Sequence, residues 1–192
     1  MNIAIDYLVI LSSFFILVIF EYPRSILIPI IRQHKKVLHK EDKLSAYFIY
    51  FCDNMSWLIS TGILLLNIGT LPQALFYIGI AMIAFGLFLR QWSISALGIF
   101  FAPTVRIIKA HKVIDTGPYK YIRHPSYAGA LIFLFGMAIA GRSFIPIIFG
   151  MPFPIFGYLY RIHVEEKSLK NHLGKAYEAY MKKTKILIPY IF

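Results

Sequence analysis

Long apolar stretches separated by short basic segments constrain this chain more than any other feature. A transmembrane helix takes about 20 mostly apolar residues, and five such stretches run through the 192 residues. The first runs roughly from Ile3 to Phe20, where Glu21, Tyr22, Pro23 and Arg24 interrupt it; Ser25 to Ile31 continues it or lies at the interface. The second runs from Leu44 to Ile68. The third runs from Leu71 to Leu89 and stays apolar through Trp92 to Phe101. The fourth runs from Pro125 to Ala140, and the fifth from Phe144 to Tyr160 with Pro146, Pro152 and Pro154 inside it. Charged residues make up 15% of the chain, against about 25% in a soluble domain, and mean hydropathy is +0.66. The N-terminal stretch lacks a basic start and a small-residue cleavage site, so it reads as a retained span rather than a secretory signal.

These stretches predict an all-α integral membrane protein with five transmembrane helices and a cytoplasmic C-terminal helix. The chain is expected to form one domain, 1–192, with lipid-embedded spans in 1–100 and the site-bearing half in 101–192. Short links predict two antiparallel hairpins, the second stretch with the third and the fourth with the fifth. Basic residues orient the set. Arg32 to Lys43 holds five Lys or Arg, Arg90 to Arg123 six and Arg161 to Lys185 seven, while the opposite loops hold only Arg142. The positive-inside rule then puts the N-terminus outside and the C-terminus in the cytoplasm. No internal repeat or low-complexity segment is present.

The net charge of +11 would point to nucleic acid in a soluble protein. Here it reads as topology charge that touches anionic headgroups, and no nucleic-acid partner is expected. The single cysteine, Cys52, excludes an internal disulfide and a cysteine-based metal site; it reads as a small buried residue. No metal site is expected at all.

Against this background the polar block His111 to Gly129, HKVIDTGPYKYIRHPSYAG, stands out. Uncompensated polar groups in hydrocarbon cost several kcal/mol, so so dense a block belongs at the membrane–water boundary. Thr116-Gly117-Pro118 reads as a turn, and His124-Pro125 as a helix start. The amides of Ser126 and Tyr127 would face the interface, where a helix N-terminus binds carboxylates or phosphates. His124 adds a donor, or simply caps its own helix. Tyr119, Tyr121 and Tyr127 stack on a ligand, or form an aromatic belt. Arg123 has a topology role as its simplest reading.

A second cluster, Arg161 to Glu166, follows the fifth stretch. Arg161 and Glu165 are four apart and share a helix face. They form a surface ion pair, or they face an anionic substrate and a cationic cofactor group respectively. Glu166 is expected to point elsewhere, toward Lys170. Asp53, deep in the second stretch, is functional or interhelical by its location. A hairpin of the last two stretches would bring the two polar clusters together.

GPYKYIRHPSYAG, the two apolar stretches and RIHVEEKSLKNHLGKAYEAYMKK together resemble the isoprenylcysteine carboxyl methyltransferase family. More broadly they resemble membrane methyltransferases with an RHPxYxG…EE signature. The resemblance covers the C-terminal half, from His111 on. It implies methyl transfer from S-adenosyl-L-methionine, with S-adenosyl-L-homocysteine as product. It implies cofactor contacts at His111, Lys112, Val113, Ile114, Tyr119, His124, Pro125, Ser126 and Tyr127, with Glu165 as the cofactor-binding glutamate. Arg161 corresponds to the substrate-contacting arginine, and Arg161 and Glu165 carry the catalysis. The implied partners are membrane lipid and a lipophilic small molecule or prenylated substrate, methylated on its carboxylate at the cytosolic face. Phospholipid N-methylation is an alternative with the same chemistry. An NADPH-dependent sterol-type membrane reductase is another, for which Lys109, Lys112 and Arg123 would meet the extra phosphate.

Overall fold

The structure is a computed structural model that describes residues 37–42, 44–66, 71–102, 105–108 and 112–191. The first expected span, Ile3 to Phe20, and the candidate His111 lie outside these residues. Among the described residues the chain forms β1 (Val37–Asp42), α1 (Leu44–Leu66), α2 (Gln73–Leu97), β2 (Val105–Ile108), α3 (Pro125–Ala140), α4 (Pro152–Leu173) and α5 (Lys175–Lys183). A 3₁₀ turn at Gly98–Phe100 extends α2, another at Gly117–Lys120 precedes α3, and a π turn at Pro146–Gly150 leads into α4.

The all-α expectation needs one correction, since β1 and β2 pair antiparallel, with Val37 opposite Ile108 and Asp42 opposite Val105. Part of the basic Arg32 to Lys43 segment is therefore strand. Val37–Asp42 lacks the apolar run that a buried helix would need, and its backbone pairs with β2 instead.

Helix pairing also departs from the expected hairpins. The broad interfaces join α2 to α3 and α1 to α4, not chain neighbours α1 with α2 or α3 with α4. Glycines decide the first pairing. A Cβ on Gly86 would lie 2.5 Å from the backbone nitrogen of Phe133, and one on Gly79 would collide with that of Ala140. Gly129 and Gly136 answer from α3, where a Cβ would lie 2.7 Å from the nitrogens of Arg90 and Ile83. Two antiparallel helices thus touch backbone to backbone through small residues, the way helices associate in lipid. Leu71 N donates to Arg142 O at 2.7 Å and closes the far end of this pair.

The second pairing runs from Ser45 against Arg161, through Cys52 against Gly157, to Ser60 against Gly150. Phe48 packs edge-on against Phe156 and Tyr160. Cys52 is buried and free. Asp53 accepts from the Tyr158 hydroxyl at 3.3 Å, which makes it interhelical.

Gln73–Phe100 and Pro146–Leu173 are long and apolar enough to cross a membrane. α1 has 23 residues and α3 only 16. At 1.5 Å per residue α3 covers about 24 Å, short of a hydrocarbon core of about 30 Å. Phe51 and Leu58 on α1, Phe85 and Phe88 on α2, and Phe156 on α4 are exposed, a surface suited to lipid rather than water. The fifth stretch does not end at Tyr160: α4 continues to Leu173 and carries the second polar cluster within it. The antiparallel pairings gather the start of α1, the end of α2, the start of α3 and the polar part of α4 at one end of the bundle.

Candidate active site

The approach to α3 is set by its turn residues. Gly117 has φ 59°, a left-handed value that a Cβ disfavours, and it opens the 3₁₀ turn that buries Tyr119. Ile122 then bridges Lys185 in parallel. Arg123 N donates to Lys185 O at 2.8 Å and His124 N to Ile186 O at 3.1 Å. Pro125 takes the first helical position, and His124 before it makes no side-chain cap, so the self-capping alternative falls away. Of the two amides expected to face a ligand, that of Tyr127 is engaged: it donates to His124 O at 3.1 Å.

α4 presents its polar face to this corner. The Tyr127 hydroxyl donates to Glu165 Oε2 at 2.7 Å. Arg161, only 2% exposed, donates from Nε to the Tyr127 oxygen at 3.4 Å and from Nη1 to Ser45 Oγ at 2.6 Å. Glu166, about 100° further round the helix, does not face Lys170. Its Oε1 accepts from Arg123 Nε at 2.6 Å and lies 3.3 Å from His124 Nε2. The His124 and Tyr127 rings stack with centroids 5.5 Å apart. Arg90, from the end of α2, donates to Ser126 O and Oγ, each at 3.1 Å.

Several of these groups border a cleft that opens to the outside. Lys112, Val113, Ile114, Tyr119, His124, Ser126, Tyr127 and Glu165 all line it. Pro125 does not line it; it is buried behind the wall, where it starts α3. Nor does Arg161, which stands behind Tyr127.

The cleft has walls that the sequence reading missed. Leu169 and Leu173 line it from α4 and Tyr177 and Tyr180 from α5. Both leucines are readable after the fact, one and two turns beyond Glu165 on the same face. Phe100 and Phe101, beyond the last turn of α2, also line it, and no local signal marks them. Burial pushes the phenols of Tyr119, Tyr177 and Tyr180 well above the usual tyrosine range, and the Glu165 charge adds to the effect at Tyr119. All three stay neutral donors at neutral pH. The cleft thus offers a carboxylate, an imidazole, an ammonium and an edge of the Arg123 guanidinium against largely aromatic and aliphatic walls.

Comparison with known proteins places this corner inside a shared segment. A probable protein-S-isoprenylcysteine O-methyltransferase from Oryza sativa subsp. indica is 30% identical over 118 residues, covering 60% of this chain and 61% of the relative. A protein-S-isoprenylcysteine O-methyltransferase from Schizosaccharomyces pombe is 31% identical over 115 residues, covering 58% of this chain and 48% of the relative. The chain therefore spans about half to three fifths of these curated relatives. A solved structure of a eukaryotic intramembrane Ras methyltransferase, isoprenylcysteine carboxyl methyltransferase, superposes with a TM-score of 0.67 at 21% identity, covering 94% of this chain and 66% of that one. That likeness establishes the fold. The family model for phospholipid methyltransferases matches residues 74–176, which run from the start of α2 into α5 and include every residue from Lys112 to Glu165 described above. With more than half its length matched in this way, the chain belongs to the phospholipid methyltransferase family.

Proposed function

We propose that this chain transfers a methyl group from S-adenosyl-L-methionine to a lipophilic acceptor at the membrane–cytosol interface, by carboxyl O-methylation of an isoprenylcysteine-like substrate. The observation that carries the reading is the meeting of His124 and Glu165 in one cleft. The donor set fits the donor molecule. Glu165 suits its ammonium. His124 and Lys112, with the start of α3 that Pro125 and Ser126 form, suit its carboxylate. Tyr119, Tyr127 and the apolar Val113 and Ile114 suit adenine and sulfonium, the latter by cation–π attraction.

When bound, S-adenosyl-L-methionine supplies an electrophilic methyl on a positive sulfur. An acceptor carboxylate oxygen forms the new bond to that carbon while the carbon–sulfur bond breaks and its electron pair stays on sulfur, leaving a methyl ester and neutral S-adenosyl-L-homocysteine. No proton moves, so the residues have only to bind, orient and exclude water. Arg161 would orient the acceptor carboxylate from behind Tyr127, and Glu165 would hold the donor. The reading keeps 1–192 as one membrane domain with five spans, the N-terminus outside and the cleft on the cytosolic side where the water-soluble donor is found.

The named relatives favour this acceptor. Two features weigh against the alternatives. An amine headgroup must first lose a proton, and the two bases bordering the cleft among the described residues are both engaged, Glu165 by the Tyr127 hydroxyl and His124 by Glu166. Of the cations named for the extra phosphate of NADPH, Arg123 is committed to Glu166, Met181 O and Thr184 O, which leaves Lys112 in the cleft among the described residues.

Titration of the detergent-purified protein with S-adenosyl-L-methionine and with NADPH tests the reading, followed by transfer of radiolabelled methyl. Saturable binding of the first and base-labile label on a prenylated cysteine are expected. Tight NADPH binding without response to the sulfonium donor ends the proposal, and base-stable label on a phospholipid amine moves it to the N-methyl alternative.

A further inference from the structure

We propose that Arg123 is a positioning residue that holds the C-terminal segment, Lys175 to Ile186, closed over the donor cleft. The inference rests on the methyltransferase reading above for the identity of the donor. α5 has nine residues, too few for an isolated helix to hold itself, and it follows Gly174, whose φ of 52° turns the chain sharply away from α4. Yet α5 brings Tyr177 and Tyr180 to the cleft wall, both buried. Something outside α5 must hold it there.

The guanidinium of Arg123 does so from three directions. Nε donates to Glu166 on α4 at 2.6 Å, and Nη1 donates to Met181 O in the last turn of α5 at 3.2 Å and to Thr184 O just past its end at 2.5 Å. The Arg123 side chain is 7% exposed and that of Glu166 14%, so these bonds are shielded from water and salt. The backbone continues the clasp through Arg123 N to Lys185 O and Lys185 N to Tyr121 O. Tyr180 donates its hydroxyl to Tyr119 O at 2.7 Å, tying the same helix to a second cleft wall. One cation therefore joins three segments: the loop before α3, the polar face of α4 and the C-terminal end of α5. Glu166 sets its direction and also meets His124 Nε2. A positive charge serving only membrane topology would reach solvent or headgroups instead.

Hydrogen exchange at Lys175 to Ile186, the dissociation constant for S-adenosyl-L-homocysteine and the KM for a farnesylated cysteine test the proposal on the full chain. Arg123→Ala is expected to speed exchange in that segment and to raise the dissociation constant about tenfold or more, while the acceptor KM changes less than about twofold. Arg123→Lys, which keeps the charge toward Glu166 but loses the planar fork, should recover part of both effects. Should Arg123→Ala leave segment exchange or nucleoside affinity within twofold of wild type, the proposal falls. Parallel loss of donor and acceptor affinity, unrelieved by Arg123→Lys, would mean a purely structural residue and also overturn it. A wild-type chain that binds no S-adenosyl-L-homocysteine overturns the methyltransferase reading itself, and with it the role given to Arg123.

Discussion

The hydroxyl of Tyr127 stands between Glu165 and Arg161, donating to the carboxylate at 2.7 Å and accepting from the guanidinium at 3.4 Å. Residues four apart on α4 are thus linked through a side chain from α3. The carboxylate borders the cleft and the arginine does not, so the phenol separates the open side of the site from its buried side. In the proposed reaction it is where donor and acceptor halves meet.

Tyr127→Phe removes this link and leaves the ring in place. The loss of a hydrogen bond to a charged, half-buried group costs about 1–3 kcal/mol. The bond is made in the unliganded fold, so the thermal midpoint should fall, and affinity for S-adenosyl-L-homocysteine should fall with it as Glu165 loses its orientation, as read by calorimetric titration.

His124→Ala and Glu165→Gln remove the two side chains proposed to grip opposite ends of the donor. Each should abolish measurable nucleoside binding in the same titration while the protein still elutes as a monodisperse species. Retained binding in either variant takes that residue out of the donor site.

Arg161→Ala is expected to lower turnover strongly and to spare donor affinity, since the guanidinium lies behind the wall. Ser45→Ala tests the same group from α1 by removing the acceptor 2.6 Å from its Nη1. It should raise the KM for a prenylated acceptor several-fold and lower the thermal midpoint, at a cost of about 1–3 kcal/mol for a buried bond. Donor affinity lost with acceptor affinity kept would reverse the roles of Arg161 and Glu165.

Gly86→Ala and Gly129→Ala probe the α2–α3 seam. The added methyl meets backbone atoms at 2.5 and 2.7 Å, which cannot swing aside as a side chain can. Overpacking of about 1–3 kcal/mol each is expected, seen as a lower thermal midpoint. Gly62→Ala is the control, because nothing lies within 4 Å of the new carbon.

Alkaline pH should loosen the cleft walls. Tyr119, Tyr177 and Tyr180 hold their protons more tightly in the fold than in the unfolded chain, whose phenols titrate near the ordinary value of 10.0. Below that pH both states are protonated and their full contribution is present. Above it the unfolded chain sheds protons that the fold retains, so stability falls as pH rises. Thermal midpoints measured from pH 8 to 11.5 should drop past about pH 10, and less steeply in Tyr177→Phe.

Much of the chain was legible before its structure. The bounds of α3 agree with the stretch drawn from Pro125 to Ala140, because His124-Pro125 can only open a helix. The second and third stretches became α1 and α2 to within a few residues, since apolar length is a local property. Gly117 was readable as a turn for the same reason. The partners of these elements were not. Gly79, Gly86, Gly129 and Gly136 read locally as unremarkable small residues, and only the close approach of α2 to α3 gives them a purpose.

Residue types and their spacing along the chain determined that apolar helices would carry two polar clusters, and which side chains in them could grip a charged ligand. Only the tertiary structure decided that Glu166 would hold Arg123 rather than Lys170, that Ser45 would meet Arg161 from 116 residues away, and that α5 would line the cleft. Helical periodicity orients neighbours within a turn or two. Which face meets which depends on how closely two backbones can approach, and that is a property of the assembled bundle.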